Sequence, residues 1–88
     1  MLNIKIHKPT AAEIADMKKN PIWECEPSKF PWYYDVAETC YLLEGKVKVT
    51  TDEEEVVFGA GDMVTFPKGL SCKWLVIEKV RKHYTFGD

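Results

Sequence analysis

The chain has 88 residues, 45% of them hydrophobic and 30% charged, and a formal net charge of −2. That length supports one modest core and leaves no room for a second domain, so residues 1–88 are read as one globular unit. With 12 basic against 14 acidic residues, there is no basic field for gripping phosphates, which argues against a nucleic-acid partner.

Two histidines limit any metal site, and the three cysteines, Cys25, Cys40 and Cys72, form no C-x-x-C pair. Neither a disulfide framework nor a cysteine-rich zinc site is indicated, and reduced thiols fit a cytoplasmic chain. The opening MLNIKIHK alternates apolar and polar residues instead of forming a signal-peptide core. The longest apolar runs, 40–43 and 74–77, are far too short to span a membrane. The expectation is a soluble, cytoplasmic chain without membrane contact.

In chain order, Leu2, Ile4 and Ile6 alternate with polar residues, the period of a half-buried strand. Thr10 and Glu13 have capping-box spacing, so residues 11–19 read as one short helix with Ile14 and Met17 inward and Pro21 ending it. Three prolines punctuate residues 21–31, an irregular or edge segment that carries Trp23 and Phe30. Residues 38–44 and 46–51 read as two strands with a hairpin turn at Glu44-Gly45, and the acidic run 52–55 as a solvated loop. Residues 56–58, 63–66, 71–78 and 81–86 complete the series, separated by Gly- and Pro-rich turns. Seven or eight short strands with turns between most of them indicate an antiparallel sandwich or barrel.

Gly61, Pro67 and Gly69 stand in a G-x5-P-x-G spacing, and Glu38 is followed by six residues and Gly45. In these two stretches the chain resembles the cupin superfamily of small jelly-roll barrels, whose second motif contains the first spacing and whose first motif ends in the second. ETCYLLEGKVKV and GDMVTFPKGLSCKW look most like a branch of small single-domain cupins. That branch also holds ureidoglycine aminohydrolase-like proteins and the cupin of ethanolamine utilisation. The resemblance implies an all-β, cupin-type jelly roll with one short N-terminal helix. It also places a metal-binding histidine where this chain has Cys72. Two more belong where Trp32 and Tyr34 stand, or Pro31 and Tyr33 under a gap one residue longer. Only Glu38 keeps its ligand type among those four positions.

The residues themselves narrow the chemistry. Glu38 lies in an apolar strand, where a carboxylate is costly to bury unless paired. It reads either as a ligand or acid/base group inside the barrel, or as a carboxylate at its mouth bonded to Tyr34 or a lysine. Cys72 is a thiolate ligand, a reactive thiol or an ordinary buried side chain. Trp32 and Tyr34, beside Phe30 and Tyr33, form an aromatic group that is either simple packing or the wall of a ligand site. A divalent metal, the cofactor that the resemblance raises, would need Glu38, Cys72 and one of Tyr34, Asp35 or His83. His7 lies on the polar side of its strand.

The expected function is therefore binding of a small metabolite in a cupin whose metal centre is degenerate. Glu38 would accept hydrogen bonds, Tyr34 would donate one, Trp32 would stack, and Cys72 would line the same cavity. One alternative is a metal-dependent enzyme resembling ureidoglycine aminohydrolase, with Glu38 and Cys72 as candidate catalytic groups. The other is a non-catalytic homodimeric interaction module.

Overall fold

The computed structural model describes residues 2–87. Its elements in chain order are β1 (Lys5–His7), α1 (Ala11–Met17), β2 (Ile22–Cys25), β3 (Ser28–Tyr33), β4 (Glu38–Thr50), β5 (Glu55–Gly59), β6 (Met63–Phe66) and β7 (Ser71–Phe86). All strand pairings are antiparallel, in line with the antiparallel sandwich or barrel that the turn spacing indicates and the all-β jelly roll that the cupin resemblance implies.

Two long strands organise it. β4 and β7 pair from Glu38↔Phe86 to Thr50↔Lys73, with the register shifting between Leu42 and Val47. β6 and β5 pair with the two halves of β4, β2 and β3 with the two halves of β7, and β1 with β6. The shift divides the ladder into two sheet halves. Their shared interior holds Cys40, Leu42, Val47, Val49, Phe58, Val64, Phe66, Trp74, Val76 and Val80, all nearly inaccessible to solvent. Alternation by two carries these side chains to one face of each strand. On the other face of β4, Thr39, Tyr41 and Leu43 are half-buried, and α1 packs against β4 and β7. The helix starts as its sequence indicates. Thr10 Oγ1 accepts from the Glu13 backbone N–H, and Glu13 Oε1 accepts from the Thr10 N–H.

Several expectations are corrected. Glu44-Gly45 is no hairpin turn, because β4 runs unbroken through it. Gly45 has φ +102°, and a Cβ there would stand 2.3 Å from the Lys79 carbonyl oxygen and 2.7 Å from Val80 Cα. The glycine thus serves a close crossing of β4 over β7. Likewise β7 is one strand where two were read. Of the two readings of segment 21–31, irregular or edge, the edge one holds, since β2 and much of β3 occupy it as outer strands on β7. The helix ends at Met17. Near the N-terminus Ile4 is buried, whereas Leu2 and Ile6 are exposed, because that edge has only a short strand to cover. The acidic run does form a turn, yet Glu54 accepts a hydrogen bond from the Ile4 backbone N–H at 3.2 Å. Among the described residues no helix is long and apolar enough to cross a membrane.

Gly45 and Gly61 separate two costs of a side chain. Both have positive φ, but nothing lies within 4 Å of a Cβ at Gly61. Gly61→Ala should lose only the backbone term, about 1–2 kcal/mol. Gly45→Ala adds a clash with backbone, for a total of about 2–5 kcal/mol. Urea denaturation of both variants checks the order, and equal losses would refute the crossing as the reason for Gly45.

Candidate functional site

A cavity of about 210 Å³ opens between β2, β3, the start of β4 and the C-terminal half of β7. Trp23, Phe30, Trp32, Tyr34, Trp74, Tyr84 and Phe86 form its walls, and Glu38 and Lys82 supply its charges. Trp23, Phe30, Trp32, Tyr34 and Trp74 belong to one aromatic network, and Tyr84 and Phe86 form a separate edge-on pair. Trp74 stacks on Phe30 with centroids 6.0 Å apart and meets Trp23 edge-on at 5.9 Å. Tyr34 stacks on Phe66 at 4.7 Å and meets Trp32 edge-on. Such pairs fix ring positions by electrostatic preference as well as by packing. Trp32 and Phe86 are about half exposed, which sets them at the rim, whereas Tyr34 and Trp74 are buried.

Glu38 and Lys82 are 5% and 4% exposed, and Lys82 Nζ donates to Glu38 Oε2 at 3.1 Å. The same ammonium lies 5.0 Å from the Trp23 ring centroid and 4.7 Å from that of Trp74, within range of a cation–π attraction. An ammonium has three donors, and the ion pair uses one. Glu38 Oε1 has no hydrogen-bond partner among the described residues, yet no fully buried side-chain polar atom there is left unpartnered. That oxygen therefore borders the open space of the cavity.

The neighbouring groups feel this environment. Burial, reinforced by the Glu38 and Cys72 charges, pushes the Tyr34 hydroxyl far above the usual phenol range, so it stays protonated. Its oxygen accepts from Trp74 Nε1 at 3.2 Å, which leaves its own proton to donate. Burial raises the Cys40 thiol to about 12, with Lys82 opposing the rise. Burial and then the Glu38 carboxylate raise Cys72 to about 11.

A family model for the EutQ-like cupin domain matches residues 13–84. The chain belongs to that family. Among solved structures, this cupin is similar to a DUF861-family protein of Thermotoga maritima, with 55% identity, a TM-score of 0.92, and coverage of 97% of this chain and all of the other. It is also similar to a putative ethanolamine utilization protein Q of Salmonella typhimurium, at 29% identity and TM-score 0.68. That match covers 74% of this chain and 53% of the other, so the cupin spans about half of the Salmonella protein. The EutQ protein of Clostridium difficile, at 23% identity and TM-score 0.68 over 74% of this chain and 52% of its own, supports the fold alone. No match was found among curated proteins.

Of the residues singled out from the cupin's sequence, the structure brings Trp32, Tyr34 and Glu38 to one cavity. Cys72 is buried and pairs with Trp32 across β3 and β7; it does not line the cavity but an adjoining open depression, which shares Trp32 with the cavity and is also walled by Pro31, Tyr33, Thr50 and Ser71. Asp35 is exposed. His83 does not reach the cavity; its Nδ1 meets the Asn20 carbonyl oxygen at 2.8 Å, because odd positions of β7 face away from Lys82. His7 is exposed and pairs with Glu13.

Lys82 is the residue that the sequence reading missed. Counted as one strand, β7 points Cys72, Trp74, Val76, Val80 and Lys82 inward, but a break placed at residues 79–80 hides that parity. Tyr84 and Phe86 share that even parity, and Trp23 and Trp74 line the cavity as well although the sequence singled out neither as a site residue.

These donors do not fit a divalent metal. The carboxylate's nearest partner is already a cation, Cys72 opens elsewhere, and among the described residues no group of three or more His, Cys, Asp or Glu could hold an ion.

Two measurements follow from the electrostatics. Removing one member of a buried ion pair strands the other, so Glu38→Met and Lys82→Met should each cost roughly 3–5 kcal/mol. The double variant should be more stable than either single one in urea denaturation. If the losses simply add, the pair is not coupled as described. The second concerns pH. Cys40 and Cys72 hold their protons more tightly folded than unfolded, so their contribution to stability is complete below the ordinary value of 9.0 and is lost as pH rises towards about 11 and 12. The Tm should fall above pH 9, and Cys72→Ala should flatten that slope; an unchanged slope would contradict the assignment.

Proposed function

We propose that this cupin binds a small, uncharged or zwitterionic organic molecule with a flat apolar body and adjoining hydrogen-bond donor and acceptor groups. The observation that carries this reading is the Glu38–Lys82 pair, joined through one carboxylate oxygen with the other bordering an aromatic cavity. The pair is neutral as a unit, so a ligand with net charge would be desolvated without compensation. A carboxamide, lactam or ureide satisfies both groups. Its N–H donates to Glu38 Oε1, its carbonyl accepts from Lys82, and Tyr34 has a proton to offer. Trp32 and Phe86 at the rim offer faces for the apolar body. The volume lies below the roughly 300–1,000 Å³ of sites for drug-sized ligands, which favours a metabolite of modest size.

A metal-dependent aminohydrolase reaction is not favoured, since the donor set described above leaves no place for the ion. Assembly as a homodimer is compatible with ligand binding, and the exposed Val57, Leu75 and Ile77 on β5 and β7 would offer it apolar surface.

Benzamide, nicotinamide and 2-pyridone are suitable first probes in a thermal-shift assay. At ten times its Kd a ligand stabilises the fold by about 1.4 kcal/mol, a Tm rise of roughly 6–11 °C for a domain of this size. At least one probe should give such a rise, Glu38→Gln should abolish it, and Trp32→Ala should weaken it. A rise that survives Glu38→Gln would place binding elsewhere.

A further inference from the structure

We infer that the Glu38–Lys82 dyad catalyses enolisation of a neutral carbonyl compound, an activity that rests on the cavity being the binding site proposed above. A carbonyl group and the C–H bond beside it are attacked most readily by a base and a hydrogen-bond donor that act together, one at the carbon and one at the oxygen. The cavity holds both at its charged end. Glu38 Oε1 borders open space with no partner among the described residues. Lys82 Nζ is 3.1 Å from the other oxygen of the same carboxylate and has two N–H groups beyond that bond. A ketone whose oxygen takes a Lys82 N–H therefore brings its α-carbon towards Glu38 Oε1.

The step balances without a cofactor. Glu38 Oε1 takes the α-proton, the C–H electron pair becomes the C=C bond, and the carbonyl π pair moves to oxygen, where Lys82 stabilises the charge by hydrogen bonding. Return of a proton from the Glu38 carboxyl to the same carbon restores the ketone, and return to another position completes an isomerisation. Nothing is oxidised or reduced. The open rim of the cavity lets the Glu38 carboxyl trade its proton with solvent before returning one to carbon, and the rings of Trp23 and Trp74 lie 5.0 and 4.7 Å from the ammonium, within cation–π range. Lys82 thus supplies the positive centre that a metal would supply to an enolate oxygen.

The probe is 2-indanone, which is flat, neutral and aromatic, with exchangeable protons on both carbons beside its carbonyl. Proton NMR in D₂O follows loss of the methylene signal, and a thermal shift of the same samples reports binding. The chelator-treated wild-type protein should exchange these protons at least tenfold faster than buffer, with Glu38→Gln returning the rate to background. Lys82→Met should lose at least tenfold in rate, and Lys82→Arg, which keeps a charged N–H donor should Lys82→Met fail to fold, should retain binding and part of the exchange above background. A Lys82→Met protein that folds, binds and exchanges at the wild-type rate would overturn the role of the ammonium. If wild-type protein is stabilised by 2-indanone yet exchange stays at background, enolisation is overturned and the binding site stands. If there is neither stabilisation nor exchange with 2-indanone, enolisation is overturned, and the binding reading falls with it only if benzamide, nicotinamide and 2-pyridone also fail to stabilise the protein. Exchange that persists in Glu38→Gln overturns the dyad as its source.

Discussion

The antiparallel ladder between β4 and β7 is the constraint on which the rest of this cupin depends. Each strand is long enough to belong to both sheet halves, and every other strand except β1 pairs with one of them. A flat ladder of that length could not enclose a core. The register shift between Leu42 and Val47 bends it, and Gly45 permits the bend by letting the backbone of β4 pass against Lys79 and Val80. A bulge of this kind increases local twist and curvature. The bend turns the inward faces of the two halves towards each other, so one alternating pattern fills a closed interior.

The same ladder places the charged pair. Glu38 opens β4, and Lys82 lies in the half of β7 beside it, so both reach the same end of the interior. Neither would be tolerated there alone. A buried ion pair gives little net stability against apolar replacements, because desolvation of the two charges offsets their attraction. Retaining one in a wall of seven aromatic residues is therefore more readily explained by what the cavity recognises than by what holds the fold together. In this respect the chain departs from the metal centre implied by its resemblance to cupins. It has the barrel and the glutamate, but an ammonium stands beside the carboxylate.

Much of the fold was legible because turns and periodicity are local. Thr10 with Glu13, the turns at 59–62 and 67–69, and the short strands between them all follow from neighbours in sequence. The errors share one cause. Gly45 and the 79–80 region look like strand ends when read locally, since glycine and a run of charged residues commonly terminate strands. In the fold they are the two sides of one crossing, and the contact that explains them joins residues more than thirty positions apart. For the site, Glu38, Tyr34 and Trp32 were visible as an ill-placed carboxylate and an aromatic group. Cys72 was drawn in by motif position, and its outlet to a different depression is set by the pairing of β3 on β7.

Read along the chain alone, the residues already specify the class of fold, the single carboxylate that needs an explanation, and a shortage of imidazoles for metal binding. These depend on composition, on spacing by two, and on turn chemistry, all of which act over a few residues. The partner that neutralises Glu38 emerges only once the strands are paired. Lys82 is 44 residues away, and strand parity can bring such a partner inward only after the register of β7 on β4 has been set. That register is fixed by the burial of both strands together, a property that belongs to neither stretch of sequence alone.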